Sequence, residues 1–388
     1  MPLLLFALGG RRASRLTVLR AHAVGVRRAL GVIIGLTALA LAFNVDRHFT
    51  TAIPGYTKAA QDHIEGSAAA RGRLAALGEA TAGPGSAVEN SLDDFGPAPD
   101  FVAVTRWLNT PGGRPLTLDG LRGKVVLVNF WTYTCINCLR ELPHLKAWDA
   151  AYRRHGLVVV GVHAPEFSFE HVVSNVRRAV ADLGIRYPVP IDNDYGTWNA
   201  YANRYWPATY LVDGNGHVRY VHFGEGEYDR TERVIRTLLA DRTAVPPATA
   251  TPDRTPTEPQ TPETYLGWER ISPAYAGSPI EENRVAGYVL PPTLALNGYA
   301  YGGRWRVDGE RILAARDARL RIRFHGALVH LVMTGHGSVD VLVDGRRARR
   351  VQVRGDRLYT LLGRNDPHDG LLELRFTPGV AAYAFTFG

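Results

Sequence analysis

The sequence predicts an α/β domain on a mixed sheet followed by an all-β sandwich, both lying beyond an N-terminal membrane segment. Three observations carry this. Residues 94–241 alternate continuous apolar runs with segments of helical apolar spacing, the pattern of a sheet covered by helices. Residues 263–388 instead show short runs of period-two alternation between Gly and Asp turns, which suits strands packed face to face. Residues 29–45 carry no charge in seventeen positions, at the short end of what spans a bilayer as one transmembrane helix.

The net charge of +8 is concentrated at the start of the chain. Residues 1–45 hold Arg11, Arg12, Arg15, Arg20, Arg27 and Arg28 and no acid, which leaves +2 for everything after them. No basic groove is implied elsewhere, which argues against nucleic-acid binding. Basic residues before the apolar run and Asp46 after it place the later domains outside the cytoplasm, on the periplasmic or extracytoplasmic side. An uncleaved anchor in the cell membrane is favoured over a signal peptide cut near Ala40-Leu41-Ala42, because 28 residues precede the apolar run. Residues 1–10 form a second apolar patch, too short to span alone. It reads as the tail of another membrane helix, so a fragment of a polytopic protein stands beside the single-pass reading. Residues 46–93, polar and rich in Ala and Gly, read as an extracytoplasmic spacer.

Within the α/β part, 125–130 is a buried strand and 135–154 a helix with apolar residues at Leu139, Leu142, Leu145 and Trp148. A second buried strand follows at 157–162, a helix at 172–183 and a short strand at 187–191. Strands at 209–212 and 218–223 flank Asp213-Gly214-Asn215-Gly216, a hairpin signal, and 231–240 closes as a helix. Residues 242–262 are dominated by Pro, Thr and Ala and read as an extended linker. Alternating strands are then expected at 320–324, 329–333, 339–343, 351–353, 372–376 and 383–387. This β part has no cysteine and no cluster of acids or histidines of a catalytic kind.

The chemistry lies at Cys135 and Cys138, the chain's two cysteines, placed where the first buried strand runs into a helix. Two residues of separation put both sulfurs near the helix N-terminus, where amide N–H groups and the helix dipole favour a thiolate on Cys135. Outside the cytoplasm such a pair is suited to cycling between dithiol and disulfide. A structural zinc site would want four ligands, and His144 is the one nearby histidine. A structural disulfide over so short a loop would constrain the unfolded chain little. A thiol peroxidase stays open, since Thr132-x-x-Cys135 mimics a peroxidatic approach, although Val128 stands where such enzymes have proline.

The segments WTYTCINCLRELPHLKAWDAAY (131–152), VVGVHAPEFSFE (159–170), YPVPIDNDYGTW (187–198) and YWPATYLVDGNGHVRYVHFGEGEY (205–228) resemble thioredoxin-like redoxins of the TlpA/ResA type. More narrowly, they are similar to the thioredoxin part of DipZ-like proteins. TPETYLG (261–267) looks like the start of the DipZ C-terminal module, a carbohydrate-binding-like jelly roll, and residues 1–45 are similar to the end of a DsbD/CcdA-like membrane domain. The resemblance implies a thioredoxin fold plus an all-β jelly-roll sandwich, with Cys135 as nucleophile, Cys138 as resolving thiol and Pro207 as the cis proline opposite them. Thioredoxins carry a buried aspartate where this chain has Asn129, so the proton shuttle is expected at Glu141, which matches the acid of ResA-like proteins.

Trp131, Tyr133, Ile136, Asn137, His163, Glu166 and Trp206 are expected along the substrate groove. Trp198, Tyr201 and Tyr205 read as core or groove wall, and Tyr299, Tyr301 and Trp305 as packing or an aromatic sugar platform. No metal and no cofactor beyond the redox disulfide is implied. The expected partners are the membrane, a transmembrane electron donor of the DsbD/CcdA type and protein thiol or disulfide substrates, with reduction as the direction, as in cytochrome c biogenesis. A non-catalytic binding protein that works through its β-sandwich is the remaining rival.

Overall fold

The computed structural model describes residues 92–240 and 244–388. The expected transmembrane helix at 29–45 and nearly all of the spacer lie outside the described residues. Among the described residues, no helix is long and apolar enough to cross a membrane.

The α/β part is built on a six-stranded sheet with strand order β1-β4-β3-β2-β5-β6. Its strands are β1 (Arg106–Leu108), β2 (Val125–Trp131), β3 (Leu157–His163), β4 (Val189–Ile191), β5 (Ala208–Val212) and β6 (Val218–Phe223). β2 runs parallel to β3, and β5 runs antiparallel to both β2 and β6. Four helices complete this part: α1 (Ile136–Tyr152), α2 (Val173–Asp182), α3 (Gly196–Ala200) and α4 (Tyr228–Ala240).

Every residue of β2 is buried, because both faces of the central sheet are covered. Val125 and Leu127 face Leu145, Trp148 and Ile235 of the long helices. The alternate residues Val126, Val128 and Phe130 face Trp107, Leu118 and Trp198. Each such buried aliphatic or aromatic side chain contributes about 2 kcal/mol, so the strand that delivers the dithiol is among the most firmly held segments. At the far end of α1, Gly156 adopts φ 101° and turns the chain into β3, a conformation glycine reaches without strain.

The β part contains β7 (Thr264–Tyr265), β8 (Val285–Tyr288), β9 (Tyr299–Val307), β10 (Ile312–Ala314), β11 (Arg319–Thr334), β12 (His336–Val343), β13 (Arg346–Arg354), β14 (Arg357–Phe376) and β15 (Ala381–Phe387). The two strands expected at 320–324 and 329–333 are one long strand, β11, with irregularities at Gly326/Leu328 and Val329/His330. β11 pairs with β9 through its first half and with β15 through its second, while β10 joins β15 to β9. The circuit β9-β10-β15-β11 therefore closes on itself, and all nine strands share one hydrogen-bonded network.

Residues 244–263 carry no helix or strand, yet they are tied down. Thr249 donates its N–H to Glu232 Oε1 at 2.7 Å, and Tyr152 OH donates to the Pro247 carbonyl at 3.3 Å. The halves also share a core: Tyr383 of β15 packs edge-on against Phe169 and Phe167, with ring centroids 4.9 and 5.2 Å away. A proline-rich composition fixes extended backbone, but it does not reveal that a neighbouring surface will bind that backbone.

Candidate active site

β2 ends at Trp131, three further residues bend the chain, and Cys135 caps α1 with its own sulfur. Cys138 N–H donates to Cys135 Sγ at 3.3 Å, so this sulfur takes one of the helix's otherwise unpaired amides. The Cys135 thiol points toward the Trp206 carbonyl, 3.8 Å away, and Pro207 follows a cis peptide bond. Cys135 is half-buried and Cys138 is buried behind it, with the two sulfurs unbonded.

The electrostatics depart from the helix-dipole expectation. Burial pushes the Cys135 thiol up, partly offset by hydrogen bonding from Cys138, and the charges of Glu166 and Glu263 push in the same direction as burial. The Cys138 thiol is held well above its ordinary range, chiefly by burial, with Cys135 and Glu141 adding to the shift. The dipole acts on Cys135, but in this enclosed, acid-lined place desolvation outweighs it.

Glu141 lies on α1 one turn past Cys138 and is fully enclosed rather than solvated. Its carboxylate accepts from Asn129 Nδ2 at 2.8 Å and from Thr209 Oγ1 at 3.2 Å. Asn129 gives its other N–H to Thr209 Oγ1 at 3.1 Å. Burial pushes the Glu141 carboxyl up to about 7, and these two donors restrain the rise. Asn129, which breaks the thioredoxin pattern in sequence, thus becomes the arm that holds the replacement acid.

A cavity of about 480 Å³ opens over Cys135. Ile136, Asn137, Glu166 and Trp206 line it, as does Tyr205. Three of the expected groove residues are placed elsewhere. Trp131 is buried and donates its indole N–H to the Gly161 carbonyl at 3.1 Å. His163 is fully buried, with Nε2 3.3 Å from Thr132 Oγ1, and burial pushes its pKa down to about 3. Tyr133 stacks on the His163 ring at 5.7 Å and is buried too. All three follow strand ends that look like site edges in sequence, but their bulky rings fill the layer beneath the dithiol. Trp198 and Tyr201 are likewise core.

Several site residues had no clear signal in the sequence. Arg140 and Glu225 form a two-pronged ion pair at 2.6 Å on the cavity wall. Glu170, buried behind the active-site turn, accepts from Thr134 Oγ1 at 2.6 Å, and burial pushes its carboxyl up to about 7. Glu263, Tyr265, Arg270 and Phe387 reach the cavity from the β part. Glu166 and the ETY run after the linker are far apart in sequence, and nothing local says that they meet at the cavity over Cys135.

Tyr299, Tyr301 and Trp305 are fully buried, so they offer no platform for a sugar ring. Among the described residues, no group of three or more His, Cys, Asp or Glu side chains is placed to hold a metal ion. His144 instead stacks on Tyr228 with ring centroids 3.7 Å apart.

Comparison with known proteins follows the same division. Residues 96–221 match the AhpC/TSA family, and residues 261–388 match the thioredoxin like C-terminal domain. The chain is 40% identical to protein DipZ of Mycobacterium tuberculosis over 410 aligned positions, covering 100% of this chain and 57% of that protein. It therefore spans little more than half the length of those relatives. It is 33% identical to the thiol-disulfide oxidoreductase ResA of Geobacillus thermodenitrificans, covering 33% of this chain and 67% of ResA. A thiol:disulfide interchange protein DsbE from Chlorobium tepidum, known as a crystal structure, aligns with a TM-score of 0.33 and 27% identity over 39% of this chain and 98% of its own. From the cysteine-capped helix, the buried acid beside it and the ResA match together, the chain belongs to the ResA-like redoxins, a family of thiol-disulfide oxidoreductases.

Proposed function

We propose that this chain reduces disulfide bonds of proteins on the extracytoplasmic side of a membrane to which its N-terminal segment anchors it. The carrying observation is the half-buried Cys135 at the base of a cavity, with Cys138 and Glu141 enclosed behind it. Cys135 attacks the substrate disulfide, forming a mixed disulfide and releasing one thiol. Cys138 then gives its proton to Glu141 and attacks Cys135 Sγ, releasing the second substrate thiol and leaving the Cys135–Cys138 disulfide. Two electrons pass to the substrate, and a DsbD/CcdA-type transmembrane donor restores the dithiol.

The thiols support this direction. Strong oxidants owe their potential to a stabilised reduced form with a low-pKa thiolate. Here both thiols are pushed up instead, which supports reduction, as in cytochrome c maturation or a related relay. The β part, expected as a jelly roll, serves this reading as the cavity's second wall. A two-electron potential measured on the soluble residues tests it. A value well below that of strong oxidants (about −120 mV) is expected, and a value near that figure would reverse the direction.

The AhpC/TSA match favours one second reading, a thiol peroxidase. Cys135 alone would suffice for it. Rapid turnover of hydrogen peroxide by Cys138→Ser protein, with no turnover of protein disulfides by the native chain, would put peroxidase in place of reductase.

A further inference from the structure

The wall of the cavity opposite α1 holds an arrangement that the exchange scheme does not use. Tyr265 OH lies 2.6 Å from Glu166 Oε1 and 2.8 Å from Glu263 Oε2. A phenol has one proton to donate. Two carboxylates cannot both accept it, so one contact is a carboxyl O–H donating to the phenol oxygen. The array thus holds a proton beyond the phenol's own. Arg270 decides its side: it donates to Glu166 Oε1 at 3.0 Å and lies over the Tyr265 ring, 3.4 Å from the centroid. With a guanidinium on Glu166, the extra proton belongs to Glu263.

Glu263 faces the same cavity as Cys135. Glu263 is exposed at the mouth of the cavity; partial desolvation there and the charge of Glu166 push its carboxyl up to about 7, while Tyr265 and Arg270 pull the other way. The remaining charged groups on the cavity are the Arg140–Glu225 pair and Arg204. Glu141 is buried beside Cys138, whereas Glu263 is a carboxyl on the open side of Cys135, where a substrate disulfide would enter.

We propose that Glu263 is a catalytic acid–base group of the exchange reaction, giving its own carboxyl proton to the leaving sulfur of the substrate and taking the Cys135 thiol proton in its place, while Tyr265 and Glu166 hold its carboxyl in place. The inference rests on the disulfide-exchange reading above. In the step, Cys135–SH and R–S–S–R become Cys135–S–S–R and R–SH. The Cys135 S–H bond and the substrate S–S bond break, the new S–S bond forms, the Glu263 proton goes to the leaving sulfur, and the Cys135 proton restores the Glu263 carboxyl. Cys138 and Glu141 then complete the second half as described. The active site is thereby shared between the thioredoxin-type layer and the β part.

The test is a single-turnover reaction of the pre-reduced chain with two neutral disulfides. Bis(2-hydroxyethyl) disulfide releases a basic aliphatic thiolate that needs a proton, whereas dithiodipyridine releases a weakly basic sulfur that does not. Glu263→Gln should slow the aliphatic reaction by at least about a hundredfold, the low end for a general acid, and change the aromatic one by less than about twofold. Tyr265→Phe, which keeps the ring under Arg270, should show the same selectivity in weaker form. Equal slowing of both disulfides would mean a structural or purely electrostatic role, and no slowing of either would mean no role; each overturns the proposal. If the unaltered chain reacts with neither disulfide, the exchange reading itself falls and takes this one with it.

Discussion

The two sides of the dithiol are built differently. Beneath Cys138, Glu141 sits in a closed triangle with Asn129 and Thr209, contributed by α1, β2 and β5 of one layer. Above Cys135, Glu166 and Glu263 share a phenol with an arginine at their side, contributed by the loop after β3 and by the start of the β part. The floor is dry and internal to one fold. The roof is partly open to solvent and exists only where two folds meet. On the proposed scheme, proton handling deep in the site is fixed by one domain, while access and leaving-group chemistry depend on how a second domain is seated.

Experiments can break this contrast, and the largest effect falls where floor and roof converge. Cys135→Ser should reduce disulfide turnover to the uncatalysed background. Cys138→Ser should stall as a mixed disulfide with substrate, visible by mass spectrometry. Turnover that survives the first variant would remove the dithiol from the reaction.

Next is the shared core under the roof. Tyr383 is buried against Phe167 and Phe169, and Tyr383→Ala should cost about 4 kcal/mol, as large aromatic truncations do. The loss should appear as one earlier thermal transition for both halves. Two separate transitions, with that of the α/β part unmoved, would show that the halves are independent and the roof incidental.

The floor makes a pH-dependent prediction. The Glu141 carboxyl titrates at about 7 when folded, above its ordinary value of 4.5. A raised carboxyl pKa means that the folded state prefers the protonated form. The resulting penalty is absent below about pH 4, grows as pH rises and is complete above pH 7. Glu141→Gln should therefore stabilise the chain by on the order of 3 kcal/mol at pH 8, with the gain shrinking toward pH 5. The same variant should slow resolution of the mixed disulfide severalfold. A melting temperature that changes equally at both pH values would contradict the enclosed carboxyl, and unchanged kinetics would take Glu141 out of the mechanism.

The smallest effect belongs to the open side of the roof. Arg270 is half-exposed in its pair with Glu166, so Arg270→Ala should change stability by less than about 1 kcal/mol. Urea denaturation would show it. A much larger loss would mean that the roof is as enclosed as the floor.

Local pattern made some of this legible and left the rest hidden. The run 125–130 and the hairpin around Asp213-Gly214 announce their strands because burial on both faces and turn chemistry leave marks within a few residues. β9 left no such mark: Ala300 and Gly302 interrupt its alternation, and its tyrosines read as packing or as a sugar platform until the strand pairings buried them. β11 looked like two strands, since a bulge at Gly326 breaks the period without ending the ladder.

The sequence by itself determined the chemistry. Two cysteines at this spacing after a buried strand must share a helix N-terminus, and Glu141 must follow one turn on, because helix geometry is fixed by local hydrogen bonding. Which carboxylates surround those sulfurs was decided only by tertiary structure. Asn129, Thr209, Glu166, Glu263 and Tyr265 come from distant stretches of chain, and their meeting depends on sheet order and on Tyr383 closing one core against another. Burial then set the proton affinities, reversing the thiolate preference that the isolated helix would confer.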